Sequence, residues 1–291
     1  MRRAGLSRRA MVAGLGTAVG TLCRPSLGLA GPGEFRFGLT PVFLSNDLEL
    51  LARLRSYLER AVGGPVRLVT RRTYQEITSL LISGQLDAAW ICGYPFVAYR
   101  PQLALVAVPL WRGEPLYKSY LITGRDREAS SLDDLKADTH AFSDPDSNSG
   151  WLVTATALAR QGHVPDRYFS QTIFTWGHRN VVRAVASGLA DSGSVDGYVY
   201  EVMRETEPDL IAGTRVVSTS NPLGFPPIAC ASAMAQEART RLLRSGLVRM
   251  REDGDGRAVL AMLRLDGFTV AEPGLFDAIA AEVAVVRGST G

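Results

Sequence analysis

Cysteine and histidine are scarce in this chain, three of each in 291 residues, and no two of them stand at the spacing of a zinc site, so a structural or catalytic zinc is excluded. The sequence also lacks a glycine-rich loop ending in Lys-Ser or Lys-Thr, which argues against a nucleotide-hydrolysing core, and it lacks a Gly-x-Ser-x-Gly elbow, which argues against the commonest serine hydrolases. No basic stripe with interleaved aromatics is present to grip nucleic acid. The one sustained apolar run near the start, Ala10 to Leu22, is too short to span a bilayer.

That run belongs to a recognisable layout. "MRRAGLSRRAMVAGLGTAVGTLCRPSLGLA" has a basic start, a short apolar stretch and small residues at Gly28 and Ala30, which is the pattern of an export signal over residues 1–30. Within it, Ser7, Arg8 and Arg9 of "SRRAMV" read as a twin-arginine signal, which exports a protein already folded. Leu22 before Cys23 suits a lipid-anchor site poorly. Removal of this stretch takes away five arginines and no acid, so the formal charge falls from +3 to −2 and the basic character proves to belong to the leader. Cys92 and Cys230 remain, either as a disulfide or as two buried thiols.

A chain of this length predicts two compact units. With 46% hydrophobic residues it can bury a core in each. Short apolar runs alternate with helical patterns throughout, which predicts α/β architecture. "FRFGLT" and "PVRLVT" read as strands. "SNDLELLARLRSYLERAVGG" reads as a helix capped by Ser45 or Asn46, with Leu51, Leu54, Leu58 and Val62 on one face and Gly63-Gly64 ending it. "TYQEITSLLISG" carries a capping box from Thr73 to Glu76 and closes at Gly84.

One unit recurs. "LISGQLDAAW" and "VASGLADSGSV" each end a helix in Ser-Gly and then, two residues later, place an Asp at the head of a small or apolar run, Gly84 to Asp87 and Gly188 to Asp191. The match predicts two halves of related topology. Extended segments at Ser119–Thr123 and around Pro226-Pro227, where helix is forbidden, read as two crossings between lobes. The predicted boundaries are 31–122 for the first lobe, 123–227 for the second, and 228–291 for a largely helical return to the first.

The candidate site starts from "DPDSNSG", residues Asp144 to Gly150, set directly before the helical pattern "WLVTATALARQG". Ser147 or Ser149 makes a good N-cap. Unpaired backbone N–H groups of the first turn, serine hydroxyls and the Asn148 amide together make a cradle of donors for an anion, and Gly150 lets a guest approach the backbone. Tyr74 and His178 fall at predicted helix starts, one in each half.

In combination, "TYQEITSLLISGQLDAAW", "PLYKSYLI", "SDPDSNSG", "GHRNVVRAVASGLADSGSVD" and "SNPLGFPPIA" resemble the phosphate, phosphite and phosphonate-binding proteins of ABC transporters, from about Phe35 to the end of the chain. The resemblance implies a two-lobed type II periplasmic binding protein with two hinge crossings. It implies an oxyanion held by Ser147, Asn148, Ser149, His178, Tyr74 and Tyr117, an ABC permease as partner, contact with the membrane only through that partner, and neither cofactor nor catalysis. At Tyr198 and Pro226 the chain departs from members that hold an amino group with acids. A compact oxyanion such as phosphite, phosphate or methylphosphonate is therefore expected, with Asp196 as an acceptor for its proton. Cys92, at the end of a predicted strand, keeps open a second reading in which an arsenite-type sensor subunit feeds a membrane histidine kinase. Ser149, His178 and Asp196 occur in an order that invites comparison with a hydrolytic triad.

Overall fold

The structure is a computed structural model that describes residues 33–41 and 47–289. The predicted leader and the predicted caps Ser45 and Asn46 lie outside the described residues. Strand β1 (Phe35–Leu39) is followed by helix α1 (Leu48–Val62), which Asp47 caps by accepting the Leu50 N–H at 3.0 Å and Gly63 closes in the left-handed conformation at φ 68°. The cap thus falls on Asp47 rather than Ser45 or Asn46, because the helix begins at Leu48 and a carboxylate beside its first turn satisfies both a free N–H and the helix dipole. β2 (Val66–Thr70), α2 (Tyr74–Ile82), β3 (Ala88–Trp90), α3 (Gly93–Ala98) and β4 (Leu103–Leu110) complete the first run.

β5 (Leu116–Tyr117) leads into the second half: β6 (Ser119–Gly124), β7 (Thr139–Phe142), α4 (Val153–Arg160), α5 (Pro165–Tyr168), β8 (Gln171–Phe174), α6 (His178–Ala186), β9 (Ser192–Asp196), α7 (Gly197–Thr206), α8 (Pro208–Ile211) and β10 (Thr214–Thr219). The chain returns through β11 (Leu223–Gly224) to β12 (Ile228–Ala231), α9 (Ala238–Val248), α10 (Gly254–Leu263), β13 (Gly267–Thr269) and α11 (Asp277–Ser289). One sheet has the order β13-β4-β12-β3-β1-β2, the other β10-β6-β9-β7-β8, and β5 pairs with β11 in a two-stranded link between them.

The repeated Gly-x-x-Asp unit has the same place in both halves. Strands β2-β1-β3 and β8-β7-β9 are parallel triplets of equivalent order. Gly84 and Gly188 end α2 and α6 at φ 72° and 73°. Asp87 then donates its N–H to Arg36 O at 2.9 Å and accepts the Arg36 N–H at 2.7 Å, while Asp191 does the same with Thr139 at 2.9 and 2.8 Å. Each aspartate therefore closes the start of one strand onto the start of its parallel neighbour, and satisfies backbone groups the ladder leaves over. As a result, the first residues of α2 and α6, Tyr74 and His178, stand at equivalent points of the two halves.

Two boundaries differ from those expected. β6 pairs along its length with β9 and β10, so Ser119–Thr123 is a strand of the second sheet and not a crossing. The crossings are shorter and lie at β5 and β11, where Trp90 Nε1 donates to Pro226 O at 2.9 Å and Ile91 N donates to Pro227 O. The return segment is likewise divided. α9 and α10 pack on α1, and α9 also on β4, as expected of a return to the first half, but α11 lies against both α3 and α4, with Thr156 Oγ donating to Glu282 O. Amphipathic spacing fixes that a helix buries a face, not which neighbour receives it.

Packing against the sheets is closest at two glycines. A methyl at Gly38 would stand 2.6 Å from Leu86 Cδ1 and 2.8 Å from Ala89 Cβ, and one at Gly193 2.6 Å from Val181 Cγ1. Gly38→Ala and Gly193→Ala should each cost about 1–3 kcal/mol through overpacking, read by chemical denaturation. A loss below about 0.5 kcal/mol, ordinary for surface changes, would contradict this packing.

Candidate functional site

The turn after β7 is built by its own side chains. Ser147 is the N-cap, its Oγ accepting the Gly150 N–H at 3.0 Å. The first turn is wide, with Leu152 N donating five residues back to Ser147 O at 3.0 Å, a geometry that is frequent at functional sites. The helix therefore begins at Asn148 and not at Trp151, and Ser149 lies inside its first turn rather than at the cap. Gly150 is required, because a Cβ there would fall 1.9 Å from Ser143 Oγ and 2.9 Å from His178 Cε1. Ser119 Oγ holds the turn from below by donating to Ser149 O at 2.6 Å.

His178 has its tautomer set by the backbone. The Asp196 N–H donates to Nδ1 at 3.1 Å, so Nδ1 carries the lone pair and the proton sits on Nε2. Burial pushes the imidazole down to about 3, which keeps it neutral. Nε2 lies 3.3 Å from Tyr74 Oη and donates to it. Tyr117 is treated in the same way by the other side of the cradle, since Asn148 Nδ2 donates to its Oη at 2.9 Å. Both tyrosines come from the first half and the hinge, and both accept from the second half. Burial raises both phenols well above their ordinary range, so each keeps its proton and can donate it onward.

The remaining predicted residues join this cluster. Asp196 Oδ1 accepts the Val199 N–H at 3.2 Å, capping α7, and Oδ2 accepts from Ser149 Oγ at 3.4 Å. Burial pushes its carboxyl up to about 7. Cys92 Sγ accepts the Asn148 N–H at 3.2 Å, and burial pushes the thiol up to about 12. Cys92 and Cys230 are both free and buried. All eight predicted positions, Tyr74, Cys92, Tyr117, Ser147, Asn148, Ser149, His178 and Asp196, are at most 2% exposed and lie together. They do not form a triad: Ser149 reaches the Asp196 carboxylate, and His178 reaches the Asp196 main chain.

Three further residues belong to the arrangement. Asp144 Oδ1 accepts from Asp146 N at 2.8 Å and Oδ2 from Tyr74 N at 3.1 Å, which places a second-half carboxylate at the N-terminus of α2. Ser143 Oγ is buried with no partner among the described residues. Both lie in the quoted string, whereas Ser119 stands in a strand with nothing local to distinguish it. At the two positions where acids would hold an amino group, the Tyr198 hydroxyl donates to Leu263 O and the Pro226 carbonyl takes the Trp90 indole.

Two sheets linked by a two-strand hinge, with helix starts from both halves converging between them, define a two-lobed type II periplasmic binding protein. The family model described as the periplasmic substrate-binding protein of phosphonate ABC transporters matches residues 37–275, and the chain belongs to that family. It is 27% identical over 176 residues to the phosphate-import protein PhnD of Mycolicibacterium smegmatis, a match over 56% of this chain that spans only 54% of that relative's length. A solved binding protein of an ABC phosphonate transporter from Pseudomonas aeruginosa superposes with a TM-score of 0.80 at 21% identity, over 88% of this chain and 87% of the other. PhnD1 from Prochlorococcus marinus, in complex with methylphosphonate, superposes with a TM-score of 0.78 at 17% identity, over 87% and 98%. No described helix is long and apolar enough to cross a membrane.

A free imidazole titrates near 6.5, but His178 should stay neutral with its proton on Nε2 from pH 8 to about 5. An unfolded chain takes up that proton below about 6.5 and the folded one does not until about 3, so this group costs stability as pH falls through that window. Nitrogen-15 NMR of the ring measures tautomer and charge directly; a midpoint near 6.5, or a proton on Nδ1, would contradict the assignment.

Proposed function

We propose that the protein captures a small phosphorus oxyanion, a phosphonate, phosphite or phosphate, outside the cytoplasmic membrane and delivers it to an ABC permease. The observation that carries this is the polarity of the two tyrosines: each accepts a hydrogen bond from the second half, through His178 Nε2 and Asn148 Nδ2, so that its own proton is left for a guest. Unpaired main-chain N–H groups of the first turn beyond Ser147 add donors from the other side. None of these donors carries a fixed charge, which suits an anion recognised by geometry and hydrogen bonding. Asp196, expected as the acceptor of a proton on the anion, already takes the Val199 N–H on Oδ1 and the Ser149 hydroxyl on Oδ2.

A guest that touches both halves stabilises their approach, and one that gained nothing from the approach could not shift it. The second-half groups act through the first-half tyrosines, so the full donor set exists only when the halves meet. The absence of an acid at Tyr198 and Pro226 favours a compact anion over one bearing an amine. The predicted twin-arginine leader supports export and a periplasmic location. Cys92, a neutral buried thiol already engaged by a backbone N–H, lends no support to the arsenite-type sensor and its kinase. The connectivity of Ser149 and His178 favours binding over turnover.

Calorimetry on the mature protein with phosphate, phosphite and methylphosphonate tests the reading. At least one should bind, and Tyr74→Phe and Tyr117→Phe should each weaken it by about 1.5–3 kcal/mol, the worth of a hydrogen bond to a charged group, each variant also melting somewhat lower because His178 Nε2 or Asn148 Nδ2 loses its acceptor. Unchanged affinity in both variants would remove the site; binding of none of the three would remove the function.

A further inference from the structure

Two buried atoms of the cradle have no partner among the described residues, Ser143 Oγ and Asn148 Oδ1, and of these the Asn148 amide oxygen can only accept. Asn148 is fully buried, its N–H donates to Cys92 Sγ, and its Nδ2 donates to Tyr117 Oη. A carbonyl oxygen sealed from water without a donor is costly, and such an atom in a native fold calls for a partner. The surrounding side chains cannot supply one readily. The Tyr117 hydroxyl is already the acceptor of the same amide, and the Ser149 hydroxyl is committed to Asp196 Oδ2. Asp196 in turn has Oδ1 on the Val199 N–H and Oδ2 on Ser149, whereas the Asn148 oxygen has no donor among the described residues.

We infer that Asn148 makes the site select oxyanions that carry a hydroxyl proton: its Oδ1 accepts a hydrogen bond from a P–OH group of a singly protonated phosphonate or phosphate, and turns away anions with no such proton, sulfonates above all. The inference rests on the oxyanion reading given above and refines its substrate class. A donor ring built of tyrosine hydroxyls and main-chain N–H groups would not by itself separate a phosphonate monoanion from a sulfonate of the same shape and charge. An oxygen facing an oxygen does, because with a sulfonate two lone pairs meet in a place from which water is excluded. Sites built to meet a hydrogen-bonding group on the substrate discriminate strongly against analogues that lack it.

Methylphosphonate and methanesulfonate supply the test, since at about pH 5.5, below the second ionisation of a phosphate-type group near 6, both carry a single negative charge on nearly the same frame. Calorimetry on the mature protein should show methanesulfonate bound about ten- to a hundredfold more weakly than methylphosphonate. Asn148→Ser, which replaces the carbonyl by a hydroxyl able to donate, should bring the two within about threefold of each other. Equal binding by the unaltered protein would overturn the inference, as it would mean an amide turned with its N–H toward the guest. So would a preference that Asn148→Ser leaves intact. Failure of the unaltered protein to bind methylphosphonate, phosphate and phosphite alike would instead bring down the oxyanion reading beneath it.

Discussion

The arrangement depends on one hydrogen bond, from the main-chain N–H of Asp196 to Nδ1 of His178. An imidazole in a buried place could carry its proton on either nitrogen. With Nδ1 made an acceptor by the backbone, the proton is forced onto Nε2, Tyr74 becomes the acceptor there, and the tyrosine's own proton is not spent on the imidazole. A backbone donor cannot rotate away or change its protonation state, so the polarity of the whole chain of hydrogen bonds is fixed before any guest arrives. Such chains strengthen one another in a low-dielectric interior.

That bond is placed by the duplicated topology. Asp196 ends β9 and His178 begins α6, two elements that the Asp191 clamp and the tight approach at Gly193 hold in register. The first half uses the same construction with Asp87 and Gly38 to present Tyr74 at the start of α2. Two copies of one unit, facing each other, bring two helix starts to one place, and helix starts are where unpaired donors and favourable dipoles are found. The departures between the copies give the chemistry: one offers an imidazole, the other a phenol, and only together do they form a relay.

Much of this was legible in the sequence because it is local. The capping box of Thr73 and Glu76, the Ser-Gly helix ends, and the small polar string before Gly150 are decided within a few residues, and they locate Tyr74, His178 and the turn. Family resemblance added Tyr117, whose role local pattern does not reveal. What could not be read depends on distant partners. Ser119 matters only because the turn lies over its strand; the need for glycine at 150 comes from Ser143 and His178, which a Cβ there would strike; and α11 bridges α3 and α4 by a choice of neighbour that spacing leaves open. Asp47 as a cap was missed within a run of three capping residues, each chemically suitable, where the helix start alone decides.

The central claim is that Tyr74 donates to the guest because His178 donates to Tyr74. A double-mutant cycle on phosphate or phosphonate affinity, with Tyr74→Phe, His178→Ala and the pair, tests it most directly. Two groups acting through one hydrogen-bonded chain should give a coupling energy of about 1 kcal/mol or more, the pair losing little beyond the larger single loss. Losses that add within about 0.5 kcal/mol would mean that the two residues act independently, and the relay would be wrong.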